Sequence, residues 1–405
     1  MLTEIILNKP PQTLPAGLPI PSAQAQALSD RLCERIRVEM DATGGALSFA
    51  RFMDLALYAP GLGYYSAGSR KFGAEGDFVT APESSSLFSC CVARQCAEIL
   101  GEIGGGSILE FGAGSGVMAT DVLKELEASG QLPDAYLIIE LSAELRARQR
   151  ETLALRVPHL AERVDWLDAL PKSLRGVVLA NELVDAMPVH RFMMTEEGFA
   201  EAYVRGDDGG FAWILSPLGE GEVLAAVEAL VASLDGVSWA PGYTSELNLG
   251  GPAWVRSVGD MLEEGAALII DYGFPRREFY HPERRRGTLV CHYRHRVHDD
   301  PLILVGLQDI TTHVDFTALA EAGMESGLSV AGYTTQAHFL LGCGLLQLME
   351  HDGTDDVRAH LSRAQQVKRL TLPNEMGELF KVIALTKNLE RPLIGFSLMD
   401  HRARL

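Results

Sequence analysis

From Ser85 onward the chain alternates short runs of aliphatic and β-branched residues with longer stretches in which apolar residues recur every three or four positions. Short apolar runs bounded by turn formers predict buried strands, and the longer recurrence predicts amphipathic helices. Seven strands follow: Ser107–Phe111, Tyr136–Glu140, Arg163–Leu167, Val177–Ala180, Ala267–Asp271, Leu328–Ala331 and Phe380–Thr386. Alternation of this kind predicts a mainly parallel sheet covered by helices, an α/β, Rossmann-like fold.

Outside the alternation the pattern changes twice. Prolines 10, 11, 15, 19 and 21 deny helix hydrogen bonds and predict an extended lead-in. Leu28, Leu32, Ile36 and Met40 then mark one helix, and a second follows over 48–57 with Ser48 as its N-cap. The glycine- and aromatic-rich stretch 60–82 predicts a long functional loop. Between the fourth and fifth strands, Arg191–Thr195, Glu201–Val204 and Phe211–Leu215 predict short strands of an inserted lobe. A second insertion spans 275–309. The resulting division is a helical cap and covering loop at 1–84, a ligand-binding core at 85–190, an inserted lobe at 191–264, and the rest of the core sheet at 265–405.

Charge narrows the partners. Thirty-five basic residues against 54 acidic ones give a net charge of −19, which repels nucleic acid and anionic membrane faces and suits cationic or neutral substrates. Arg284, Arg285 and Arg286 read as a solvated loop. The six cysteines have no CxxC pair or four-ligand spacing, so a reduced, metal-free interior is expected. The first residues resemble neither a signal peptide nor a mitochondrial presequence, and no apolar run reaches the roughly 18 residues of a membrane span. A cytoplasmic protein of bacterial type is therefore expected.

The strongest local motif is SILEFGAGSGVMATDVL: a strand ending in Glu110, then Gly112, Gly114 and Gly116, then a helix. Glycines allow the tight turn and close ligand approach, and the helix start offers free N–H groups. The third glycine of a dinucleotide fingerprint would fall on Val117, which argues against a nicotinamide oxidoreductase. A phosphate-free ligand carrying an ammonium and a sulfonium, as S-adenosylmethionine does, suits a carboxylate such as Glu110. Glu140, at the neighbouring strand tip, is placed to bind both ribose hydroxyls. Trp166, Leu167 and Asp168 are expected to flank the adenine, with Asp168 accepting from its amino group. The fourth strand ends in NELVDAMP, which puts Asn181, Glu182 and Asp185 at the sheet's carboxyl edge, a substrate-positioning place.

In order, FMDLALYAPGLGYY, GDFVTAPE, EFGAGSG, NELVDAMPV, IIDYG and DITTHVDF resemble the MidA-like methyltransferases over most of the chain. The resemblance implies a seven-stranded class I methyltransferase core that binds S-adenosylmethionine through the three glycines and Glu140. It further implies that 76–83, including Asp77, covers the cofactor. The acceptor it implies is a protein arginine, on a subunit of respiratory complex I or a similar protein, as in the family's mitochondrial members.

Methyl transfer from a sulfonium is an in-line displacement, so positioning dominates and no metal is needed. Glu182 and Asp185 would orient the guanidinium; either of them, or His190 or His313, would take the proton, and Asp271 would orient the acceptor loop. Two other readings stay open: an assembly chaperone that binds the cofactor without essential catalysis, and methylation of a small molecule. Apolar stretches in the insertions would serve a homodimer or a client protein.

Overall fold

Each of the seven predicted strands forms, several of them longer than their apolar runs. They are β1 (Ser107–Phe111), β2 (Tyr136–Ile139), β3 (Val164–Leu167), β4 (Leu174–Asn181), β5 (Leu262–Phe274), β6 (Ser329–Thr335) and β7 (Phe380–Lys387). In this computed structural model, residues 5–6, 14–15, 17–67, 80–207, 209–350 and 357–405 are described. The strands lie side by side in the order β6-β7-β5-β4-β1-β2-β3, and a two-residue strand, Val314–Asp315, adds an eighth member beside β5. β1 to β5 run parallel, whereas β7 is antiparallel to both neighbours.

The alternation of side chains explains why these strands are apolar throughout. Ile108, Ile138, Val177, Leu179, Ala266 and Leu268 face one helical layer, with Val92, Cys96, Ile99 and Val122. Leu109, Val178, Ala180, Ala267 and Ile269 face the other, with Val255, Val258 and Leu319. A parallel sheet covered on both faces leaves no polar side. After β3 the chain returns to the opposite side of β1, so the carboxyl ends of β1 and β4 diverge around a crevice.

A second region contributes Tyr58, Tyr65, His292 and Asp309 to the cavity at that crevice. His190–Thr195, Gly198–Asp207 and Gly210–Pro217 form an antiparallel sheet with Thr244–Leu247, Ile5–Ile6 and Ala46–Ser48. The helices Ala23–Ala42 and Phe49–Tyr58 pack on it, Ser48 Oγ accepting from the Arg51 N–H as the N-cap. A three-stranded sheet of Val290–Tyr293, Arg296–His298 and Asp309–Thr311 completes this region.

Packing runs across two of the divisions read from the sequence. The cap at 1–84 and the lobe at 191–264 share one core, in which Leu32, Phe49 and Phe52 pack with Val204, Phe211 and Ile310. The helix Gly250–Met261, assigned to the lobe, instead packs on the central sheet through Val255, Val258 and Met261. Arg284 is a further correction: it is half-buried 4.2 Å over the Phe274 ring and donates to the carbonyls of Glu278 and Phe279. No helix of the described residues is long and apolar enough to cross a membrane.

Candidate active site

The crevice between β1 and β4 opens into a cavity of about 730 Å³, the size of a cofactor or drug-sized ligand site. At one end β1 delivers Glu110 and then turns through Gly112 (φ +65°) and Gly114 (φ +53°), left-handed conformations that side chains resist. The helix Val117–Ala128 starts with no side-chain cap. Gly116 lies behind the cavity wall; a Cβ there would come 3.1 Å from Gln149 Cα, so its task is close helix packing.

Two buried carboxylates serve this end. Glu110 accepts from Tyr136 Oη at 2.7 Å, and burial, opposed by that bond, pushes its carboxyl up to about 7. Glu140 accepts from the Ser142 N–H at 2.9 Å and from Gln149 Nε2 at 3.0 Å, and burial raises it as well. Gln149 is wholly buried and also reaches the Gly114 carbonyl at 3.0 Å, while Trp166 Nε1 donates to its Oε1 at 2.8 Å. One amide therefore ties the glycine loop, the β2 tip and β3 together. Beside Glu140, Leu141 lines the cavity with its side chain 82% exposed, an apolar face open to a ligand.

At the other end, β4 passes Asn181 into Glu182, which is held at φ +51°. Glu182 accepts from Tyr272 Oη at 3.2 Å, from Asn181 Nδ2 at 3.3 Å and from the Ala81 N–H; burial dominates and pushes its carboxyl up to about 7. Asp271 on β5 accepts from the backbone N–H groups of Val184, Asp185 and Tyr272, which shapes the Asn181–Met187 loop. Burial raises Asp271 to about 8, and Asp185 is raised by burial and by the Asp271 charge beside it. Asn181 Oδ1 and Asp185 Oδ1 are buried without a hydrogen-bond partner among the described residues. Glu83, next to Ala81, accepts from Ser115 Oγ in the glycine loop, so the turn 81–83 bridges the two ends.

Of the residues singled out from the sequence, Glu110, Gly112, Gly114, Glu140, Asn181, Glu182 and Asp185 line this one cavity. Asp77 lies outside the described residues. Trp166, Leu167 and Asp168 do not reach the cavity wall; the Asp168 side chain is 88% exposed and pairs with Arg146 at 2.6 Å. His190 is bound to Glu201 at 2.7 Å, away from the cavity. His313 sits between the Tyr272 and Phe274 rings, where burial lowers it to about 4, and it lines a separate cavity. The histidine that does line the site is His292. Sequence reading did not single out Tyr58, Tyr65 and Asp309, although they lie in the quoted segments FMDLALYAPGLGYY and DITTHVDF, nor Gln149, for which no local pattern signals a site. Leu141 did carry a signal, an apolar residue directly after the strand-end carboxylate.

Known proteins match this geometry. A family model described as a "putative S-adenosyl-L-methionine-dependent methyltransferase" matches residues 91–334, more than half of the chain. The protein arginine methyltransferase NDUFAF7 homolog of Drosophila melanogaster, a mitochondrial protein, is 28% identical, with 95% of this chain and 92% of that protein covered. Protein arginine methyltransferase NDUFAF7 of Homo sapiens is 26% identical, with 84% and 80% covered. A crystal structure from Burkholderia thailandensis, bound to S-adenosyl-homocysteine, is 45% identical with a TM-score of 0.91, covering 96% of this chain and 100% of its own. The left-handed glycine turn, the uncapped helix start and the two carboxylates of the cavity suit such a cofactor. The chain therefore belongs to the Methyltransf_28 family of S-adenosyl-L-methionine-dependent methyltransferases, and S-adenosyl-L-methionine is its cofactor.

Proposed function

We propose that this methyltransferase acts on a guanidinium nitrogen of a protein arginine. One observation carries the reading: the unpartnered Asn181 Oδ1 and Asp185 Oδ1 sit beside Glu182 in a cavity whose described lining contains no lysine or arginine. Buried acceptors without donors are costly unless a ligand supplies donors, and guanidinium supplies five. Asp185 is 3% exposed, so a long side chain is needed to reach it from a protein surface. The relatives named as protein arginine methyltransferases support the same acceptor.

The cofactor supplies a methyl group on a sulfonium, whose sulfur keeps the bonding pair when the carbon is transferred. Free guanidinium, with a pKa above about 12, is a poor nucleophile. Glu182, partly buried and already held by Tyr272 and Ala81, can orient one nitrogen and take its proton as the N–C bond forms. Asn181 and Asp185 would accept from the remaining N–H groups, which fixes the acceptor for in-line attack. Asp168 on its exposed pair and Gly116 behind the wall would act on the cofactor side only indirectly. We read the lobe at 191–264 and the stretch 275–309 as insertions that build the acceptor face, and the cytoplasm as the compartment, since all six cysteines are free thiols.

The test is incubation of the purified chain with isotopically labelled cofactor and a complex I subunit or arginine-rich peptides, followed by amino-acid analysis. Labelled methylarginine, lost in Glu182→Gln while S-adenosyl-homocysteine still binds, is the expected result. Label in methyl-lysine or in a small molecule would overturn the arginine assignment. No label anywhere, with cofactor bound, would favour a chaperone that uses the cofactor as a ligand.

A further inference from the structure

One carboxylate of the cavity, Glu83, comes from outside the α/β alternation, on the short helical turn Ala81–Ser84. The turn is firmly held. Ala81 and Pro82 are buried, Pro82 restricts the backbone at its start, and the Ser84 and Ser85 N–H groups donate to the Thr80 and Ala81 carbonyls at 3.0 and 3.2 Å. Glu83 is half-buried and accepts from Ser115 Oγ; Ser115 is 6% exposed and stands between Gly114 and Gly116. A carboxylate offers about four acceptor positions, of which Ser115 fills one. No lysine or arginine is present among the described lining residues to fill another.

We propose that Glu83 binds the α-ammonium group of S-adenosylmethionine. The proposal concerns the cofactor and does not depend on what accepts the methyl group. The cofactor's sulfur carries three groups, which must meet three parts of the wall. With adenosine at Glu140 and Leu141, and the methyl group facing the loop 181–187, the amino-acid tail is left with Thr80, Pro82, Glu83, Ser115, Val117 and Met118. Val117 and Met118 open a helix with no side-chain cap, a favourable place for the tail's carboxylate. The ammonium needs an acceptor, and Glu83 is the carboxylate on this part of the described wall. Glu110 serves less well. It is 2% exposed and already accepts from Tyr136, and burial pushes its carboxyl up to about 7, so near neutral pH a share of it carries a proton. Glu83 is a binding residue in the proposal; Ser115 is a positioning residue that acts through it.

The experiment is calorimetric titration of the full chain with S-adenosyl-homocysteine, with its desamino analogue, in which hydrogen replaces the ammonium, and with methylthioadenosine, which lacks the amino-acid tail. Wild type should bind S-adenosyl-homocysteine at least about tenfold more tightly than the desamino analogue, the scale of one charge-assisted hydrogen bond. Glu83→Gln should remove most of that difference and leave the affinity for the other two ligands within about twofold of wild type. Undiminished S-adenosyl-homocysteine binding in Glu83→Gln would overturn the assignment. So would an equal loss for all three ligands in a variant whose thermal unfolding matches wild type, since Glu83 would then only prop the glycine loop. A wild type that binds the desamino analogue as tightly would remove the ammonium contact itself. Should Glu83→Gln not fold, Ser115→Ala decides: it should weaken S-adenosyl-homocysteine by about threefold and spare the desamino analogue, and an equal or absent loss overturns the proposal.

Discussion

The two ends of the cavity are built in opposite ways. The cofactor end comes from one stretch of chain, Glu110 to Gln149, with Trp166 added from β3, and its carboxylates are already bonded to Tyr136, Ser142 and Gln149. The other end is assembled from five separated segments, around Tyr58 and Tyr65, Ala81, Asn181–Met187, Tyr272 and Asp309. It leaves Asn181 Oδ1 and Asp185 Oδ1 without partners among the described residues and holds Glu182 at φ +51°. One end has its carboxylates bonded within it, and the other keeps buried acceptors without partners among the described residues. Strain and unsatisfied polar atoms persist where function uses them, and here both fall at the end proposed to bind the methyl acceptor.

If the division is real, substitutions should separate binding of cofactor from transfer. Glu182→Gln should lower the methylation rate by roughly 10²–10³-fold, the scale of a lost general base, with S-adenosyl-homocysteine affinity within about twofold by calorimetry. Gly112→Val should do the reverse first step, reducing S-adenosyl-homocysteine affinity by about 100-fold or more, because a β-branched residue at φ +65° shifts the turn that forms the cavity floor. Gln149→Leu should weaken cofactor binding by about tenfold, since it removes one of the donors to Glu140, leaving the Ser142 N–H, and takes away the acceptor of the Trp166 N–H. A variant at one end that moved the other end's readout as strongly would show that the bridge at 81–83 fuses the two.

Acidity sharpens the comparison further. Glu182 must be ionised to take a proton, and burial raises it to about 7, so kcat/KM should rise with pH up to about 7 and then level. A bound guanidinium favours the ionised form, so the bend in kcat should fall lower, and Glu182→Gln should abolish it. Glu110 gives a smaller effect, in stability. Its folded pKa of about 7 lies above the ordinary 4.5, so the folded chain holds the proton longer than the unfolded one. The stability it contributes is fully present below about 4.5 and is lost as pH rises through 7. Glu110→Gln should therefore stabilise the cofactor-free protein by about 1–2 kcal/mol at pH 8, measured by denaturant unfolding, with no gain at pH 4.

Legibility followed sequence distance. Glu110, Gly112, Gly114 and Glu140 could be found because a strand, a glycine turn and a helix start recur in fixed local order. Asn181, Glu182 and Asp185 could be found because polar residues at an apolar strand's end need a reason. Asp168 misled because a carboxylate near a strand tip looks the same whether it faces a ligand or an arginine such as Arg146. His190 and His313 misled in the same way, since a histidine's letter does not say which way its ring points. The shared core of the cap and the lobe was invisible because Phe49 and Phe211 lie far apart along the chain and no local pattern couples them.

The sequence by itself determined the alternating strands and helices, the glycine turn and the acidic strand ends, because periodicity and turn chemistry are local properties of the backbone. Only the tertiary structure decided which carboxylates meet. Asp309 reaches Asp185 through a stacked tyrosine pair and a backbone hydrogen bond between segments that are neighbours only after folding. Gln149 becomes the tie of the cofactor end only when β1, β2 and β3 lie side by side. Long-range packing, not local preference, sets those distances, and the chemistry of the acceptor end depends on them.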